Sequence, residues 1–194
     1  LLDACSAPGI KTSYLRSLLP AWELWATDVS DARIESMRKN FDRMGVGGVS
    51  IVKVDFSGEV PRDMRSAFDV VFVDSPCSGL GVMRRNPEVK WRIGKRDVEL
   101  CGGKSEKILT NAILCVKEGG YCLYSTCTFT SRENEEVVKR VSRATGCVVE
   151  SVGDIVPPVP GWTDAGLFAI TAPDLIDGDI FFLAGIKKGG GARG

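Results

Sequence analysis

The chain has 194 residues, 44% of them hydrophobic, which suits one compact domain with a sizeable core. Lysine plus arginine and aspartate plus glutamate both total 25, so the net charge is zero. That balance argues against a protein whose whole surface attracts polyanions; any such attraction must be local. The 7 cysteines show no paired CxxC spacing and no secretory signal opens the chain, which predicts free thiols in a reducing compartment and no structural metal site. No apolar run reaches the ~18–20 residues of a membrane helix, so a soluble protein is expected.

In chain order, Leu1-Leu2-Asp3-Ala4 reads as a core strand. A native domain seldom begins inside one, so a further N-terminal region ahead of Leu1 is expected. The turn Cys5 to Gly9 leads into a helix from Ile10 to Leu19, closed by Pro20. Trp22 to Thr27 is a second strand ending at Asp28, and Ser30 caps a helix that runs to Met44. Val49 to Val54 and Phe68 to Val73 are strands that also end in aspartates, Asp55 and Asp74. Ser78 to Val98 reads as loop or short helix, and a helix carrying Ile108, Leu109, Ala112, Ile113 and Val116 reaches Gly119-Gly120. A strand follows at Tyr121. Ser131 opens another helix, Cys147 to Val152 is a strand, 153–178 is a connection, and Ile180 to Ile186 is the closing strand. Residues 1–187 are thus read as one domain and 188–194 as a flexible tail. Alternating strands and helices predict an α/β, doubly wound, mostly parallel sheet.

The chemistry gathers just past strand ends, where open α/β sheets hold ligands. Asp74-Ser75-Pro76-Cys77 and Ser125-Thr126-Cys127 each place a cysteine in such a loop, so two thiols can face one crevice. A thiolate with a lowered pKa attacks electrophilic carbon; the plainer alternative is a pair of small buried hydrophobes. In Asp3-Ala4-Cys5-Ser6-Ala7-Pro8-Gly9-Ile10-Lys11-Thr12 small residues let backbone approach a ligand, and the helix N-terminus suits a carboxylate. The spacing is neither GxGxxG nor GxxxxGK[ST], and an ordinary tight turn is the alternative. Asp28 can take both hydroxyls of a ribose or cap a helix; Asp55 can meet an adenine amine or cap a turn. Between Arg84 and Lys107, Arg84, Arg85, Lys90, Arg92, Lys95, Arg96, Lys104 and Lys107 outnumber Glu88, Asp97, Glu99 and Glu106. With Trp91 among them they can contact phosphates, or form a solvated charged face.

These segments, Asp3 to Thr12, Asp74 to Arg92 and Tyr124 to Glu136, resemble the Nop/Sun family of RNA cytosine-5 methyltransferases. The likeness runs in order through most of residues 1–152, and Ile180-Phe181-Phe182-Leu183-Ala184 is similar to the family's closing strand. Departures are Ser6 and Ile10 in the first loop, Thr128 where serine is common, and Asp177-Gly178-Asp179 where a histidine is often found. Ile10 can narrow the cofactor turn. The resemblance implies a Rossmann-like domain binding S-adenosylmethionine through Cys5, Ser6, Ala7, Pro8, Gly9, Ile10 and Lys11, with Asp28 on the ribose, Asp55 near the adenine and Asp74 near the methionine end and target base. It implies Cys127 as nucleophile and Cys77 in release of the product; the charge run itself offers Arg84, Arg85, Lys90 and Arg92 as the candidates for RNA contact. Carbon 5 of cytosine is too weak a nucleophile unless a thiolate first adds at carbon 6, which agrees with that assignment.

The expected partner is ribosomal or transfer RNA with an unpaired or flipped cytosine, and the expected state a monomer without a membrane, in the cytoplasm or in a eukaryotic nucleus or nucleolus. The competing readings are a methyltransferase for another nucleic-acid position or for DNA, and a non-catalytic RNA-binding scaffold.

Overall fold

The computed structural model describes residues 1–151, 162–164, 168–171 and 178–189. Its elements, in order, are β1 (Leu2–Asp3), α1 (Ile10–Leu18), β2 (Leu24–Asp28), α2 (Asp31–Met44), β3 (Val49–Lys53), β4 (Phe68–Asp74), α3 (Val89–Arg92), α4 (Lys95–Cys115), β5 (Val116–Thr126), α5 (Glu135–Thr145), β6 (Val148–Glu150), β7 (Trp162–Asp164), β8 (Phe168–Thr171) and β9 (Phe182–Lys187). The strands lie in the order β3-β2-β1-β4-β5-β9-β8-β7, with β6 also paired to β9. β1 to β5 run parallel, whereas β9 joins β5 antiparallel and carries β8 and β6 antiparallel in turn.

Strand alternation explains the helical layers on both faces of the sheet. Val49 and Ile51 of β3 pack with Ala26, Ile34, Met37 and Phe41 on one face, the side that α2 covers. Val52 packs against the other cluster, where α4 and α5 supply Ile108, Leu109, Val137 and Val141. Burying each side chain of this size contributes roughly 1.5–3 kcal/mol. Ser30 caps α2 as expected, its hydroxyl accepting from the Arg33 N–H at 3.4 Å.

Several expected boundaries move. The Ile108 helix ends at Cys115 rather than at the paired glycines, because Val116 already turns extended and pairs with Phe68 of β4. Gly119 and Gly120 instead fall inside β5, where the register with β4 shifts. The helix expected from Ser131 begins at Glu135, since Ser131 to Asn134 form a turn closed by the Asn134 N–H on the Ser131 carbonyl. The expected 153–178 connection contains β7 and β8; Phe168 stacks on Phe182 at 5.3 Å, and short β-branched and aromatic runs suffice when a neighbouring strand accepts them. The rest of that connection and residues 190–194 of the expected tail lie outside the described residues.

The sheet grows outward from β1 through β2 to β3, then restarts on the other side of β1 with β4. That reversal opens a crevice beyond the carboxyl ends of β1 and β4, which carry Asp3 and Asp74.

Candidate active site

β1 feeds the first loop directly into this crevice. Gly9 holds φ +91, and a Cβ there would sit 2.7 Å from Phe41 and 2.8 Å from Met37, so only glycine lets the loop pass over α2. α2 also takes up the loop's carbonyls: Arg33 Nη2 donates to Ala7 O at 3.0 Å and Asn40 Nδ2 to Pro8 O at 2.9 Å. The α1 N-terminus carries no side-chain cap, which leaves its N–H groups for an acceptor in the crevice. The Ser6 hydroxyl is buried against Thr12 and Met37, so only its backbone can serve a ligand. Burial pushes the Cys5 thiol up to about 12, which makes it a packing residue rather than a reactive one. Ile10, half exposed at the first position of α1, joins Asp3, Cys5, Pro8, Lys11 and Asp74 around one hollow.

A second hollow adjoins it through Cys5 and is lined by Asp28, Val29, Arg33, Asp55, Phe56 and Lys104 among others. Asp28 is almost wholly buried at the end of β2; its Oδ1 accepts from the Ser30 N–H at 3.0 Å and its Oδ2 pairs with Arg33 at 3.1 Å. Asp55 accepts from the Ser57 N–H at 2.8 Å and the Ser57 hydroxyl at 2.6 Å. Those bonds hold its carboxyl below the usual carboxylate range. Asp55 therefore caps its own turn and also borders the hollow. A larger hollow, lined by Leu1, Trp22, Trp25, Phe68 and Lys117, lies at the amino ends of the strands, away from these loops.

Asp3 was not singled out in sequence beyond the loop pattern. Its Oδ2 accepts from Thr12 at 2.6 Å, while its buried Oδ1 has no hydrogen-bond partner. Burial raises its carboxyl to about 6, with Thr12 opposing and Asp74 adding to the shift. Asp74 forms an ion pair with Lys11 and accepts from the Ser125 hydroxyl at 3.0 Å.

The parallel pairing of β4 and β5 sets Asp74 opposite Ser125, so the loops that follow leave the same edge together. Cys77 and Cys127 meet there with their sulfurs 3.3 Å apart, both half-buried. The hydrogen bond donated by Cys77 holds the Cys127 thiol below its ordinary value, and the same bond together with burial pushes Cys77 up. The two thiols share one hydrogen bond, and of the pair Cys127 is the one whose acidity that bond increases. Next along the chain, Arg84, Arg85, Lys90 and Arg92 are all exposed, and Trp91 is 84% exposed with the Lys90 ammonium 5.4 Å from its ring. Arg85 is paired to Asp179, however, and Lys104 faces the Asp28 hollow, so the basic run is not one continuous surface. Among the described residues no group of His, Cys, Asp and Glu is placed to hold a metal, and no helix is long and apolar enough to cross a membrane.

Residues 1–185 match the family model described as 16S rRNA methyltransferase RsmB/F. The chain belongs to this family. It is 29% identical over 191 residues to ribosomal RNA small subunit methyltransferase F of Shewanella loihica, covering 97% of this chain and 39% of that protein. It is 38% identical over 143 residues to the 28S rRNA (cytosine-C(5))-methyltransferase of Mus musculus, covering 71% of this chain and 18% of that protein. Among solved structures, NSun6 from Pyrococcus horikoshii, determined with SFG, superposes with a TM-score of 0.81 at 27% identity, over 96% of this chain and 47% of that one. The chain thus spans about two fifths of the bacterial relatives it matches, and the Rossmann-like methyltransferase fold expected from sequence is the fold observed.

Proposed function

We propose that this chain is the catalytic domain of an RNA cytosine-5 methyltransferase that acts on ribosomal RNA through a covalent cysteine adduct and uses S-adenosylmethionine. The observation that carries this reading is the Cys77–Cys127 contact at 3.3 Å, beside a loop and two hollows suited to the cofactor. The names of the relatives support the ribosomal substrate, and the SFG-bound neighbour, SFG being an S-adenosylmethionine analogue, supports the cofactor.

The residues present fit that cofactor. The unpartnered Asp3 Oδ1 is an acceptor waiting for a donor, and the cofactor's ammonium is one. The uncapped α1 N-terminus suits its carboxylate, Asp28 its ribose hydroxyls, and the hollow bordered by Asp55, Phe56 and Lys104 its adenine. When bound, the cofactor supplies an electrophilic methyl group. Cys127, already the more acidic thiol, adds to carbon 6 of the cytosine and makes carbon 5 electron-rich. Asp74, held by Lys11 and Ser125, is placed to hold the base and stabilise the charge that develops on it. Once Cys127 is a thioether it no longer carries the charge that kept the proton on Cys77. After carbon 5 has taken the methyl group, Cys77 gives its own proton to solvent, takes the proton from carbon 5, and the S–C6 bond breaks to restore the ring and the Cys127 thiolate.

The test is a denaturing gel of the full-length protein incubated with rRNA and S-adenosylmethionine. Cys77→Ala should accumulate a slow-migrating protein–RNA band, while Cys127→Ala and the double variant form neither band nor 5-methylcytosine. A band that needs Cys77 and survives loss of Cys127 would reverse the two roles.

A further inference from the structure

Glu133 is a fully buried carboxylate outside the reaction just described, at 0% exposure. Withdrawing a carboxylate from water costs roughly several kcal/mol unless donors replace the lost hydration. No lysine or arginine pairs with it among the described residues; hydrogen-bond donors surround it instead. Its Oε1 accepts from the Ser78 N–H at 2.6 Å. Its Oε2 accepts from the hydroxyls of Ser78 at 2.7 Å, Thr130 at 2.5 Å and Thr128 at 3.2 Å. The Tyr124 hydroxyl donates to the Glu133 carbonyl at 2.5 Å, which anchors the clamp to the core of β5.

The identity of those donors is what matters. Ser78 directly follows Cys77, and Thr128 directly follows Cys127. The carboxylate therefore grips the residue after each cysteine, and the two hydroxyls also touch each other at 3.0 Å. The neighbouring Asn134 completes the grip: its Oδ1 accepts from Thr126 at 2.6 Å and its Nδ2 donates to the Thr128 carbonyl at 2.9 Å, on either side of Cys127. We infer that Glu133 is a positioning residue that clamps the two cysteine loops together and so sets the contact between the Cys77 and Cys127 sulfurs.

The inference rests on the proposed reading only in taking Cys127 as the nucleophile. The charged groups that face Cys127 besides Cys77 are Asp74 and Lys11, and neither belongs to the clamp. A loosened clamp lengthens the thiol contact, removes the donor from Cys127 and returns that thiol toward its ordinary acidity.

The experiment is the rate of iodoacetamide alkylation at Cys127 in the full-length protein, measured across pH by mass spectrometry of the Cys127 peptide. The wild type should be half-reactive below the ordinary thiol value of about 8.5. Glu133→Ala, and separately the double variant Ser78→Ala/Thr128→Val, should shift the midpoint up and slow alkylation near neutral pH about tenfold. Glu133→Gln, whose amide oxygen still accepts from the Ser78 N–H and whose NH₂ can donate to the hydroxyls, should stay close to wild type. Profiles unchanged in both disruptive variants overturn the inference; if Glu133→Ala fails to fold, the double variant decides alone. A wild type with the expected alkylation profile but no methylated RNA would overturn the proposed function and leave the clamp standing.

Discussion

At the scale of a single residue, Asp3 brings a titratable carboxyl to the proposed cofactor site. Its buried carboxyl titrates at about 6 in the folded chain, above an unfolded value near 3.9. The folded state thus binds this proton more tightly than the unfolded chain does. The stability it contributes is complete below the unfolded value and is lost as pH rises through about 6. At neutral pH the cost is an ionised carboxylate with one unpartnered oxygen, which a cationic ligand would relieve. Calorimetric affinity for S-adenosylmethionine should therefore weaken about threefold to fourfold between neutral pH and roughly pH 5.5. In Asp3→Asn affinity should be weaker at neutral pH and flat over that range. A wild-type affinity that does not change with pH would remove Asp3 from the cofactor site.

Among the elements, the junction of the two cysteine loops with the approach to β9 is the tightest point. The Gly81 N–H donates to the Cys127 carbonyl at 2.9 Å, and the Gly81 carbonyl accepts from the Ile180 N–H at 2.9 Å. A Cβ on Gly81 would lie 2.3 Å from the Ile180 carbonyl oxygen and 2.7 Å from that of Cys127. Both obstacles are backbone, so Gly81→Ala must push loops apart; we expect a loss of about 1–3 kcal/mol in denaturant melts. Alkylation of Cys127 near neutral pH should slow in the same variant. Unaltered melting and reactivity would show that the junction yields freely.

The elements that position the site were legible where the signal is local. Apolar runs ending in Asp28 and Asp74 marked strand ends, and the parallel order followed from alternation of strands and helices. Most of what escaped depends on contacts distant in sequence. The first turn of α4, Lys95 to Val98, read as loop because its cap, the Asp97 carboxylate accepting from the Gly94 N–H at 2.9 Å, has no apolar periodicity to announce it. Glu133 and Asn134 looked like part of a helix start, since acidic and amide side chains favour that place for their own reasons. Here they serve the loops of Cys77 and Cys127 instead. Arg33, the partner of Asp28, lay in an ordinary amphipathic helix and gave no sign of its own.

Across the whole molecule a neutral charge balance leaves the proposed RNA contact to local features. The exposed Lys90 and Arg92 flank Trp91, whereas Arg85 is engaged with Asp179. Replacing Lys90 and Arg92 with glutamine should lower the salt slope of RNA affinity in the full-length protein by about 1.4, at ~0.7 per phosphate contact on single strands. Arg85→Gln alone should change it little. An undiminished slope in the double variant would place the RNA elsewhere.

The contact between Cys77 and Cys127 joins positions far apart in the chain, and α4 must cross over before β4 and β5 can pair to bring them together. Such long-range pairing forms late relative to local helices. Until it forms, every cysteine here is an ordinary thiol, because the neighbour that acidifies Cys127 is not yet beside it. A nascent or partly folded chain therefore offers electrophiles ordinary thiols with no preference among them, and selectivity for one sulfur comes into being only with the completed sheet, which also buries Cys115 and Cys122.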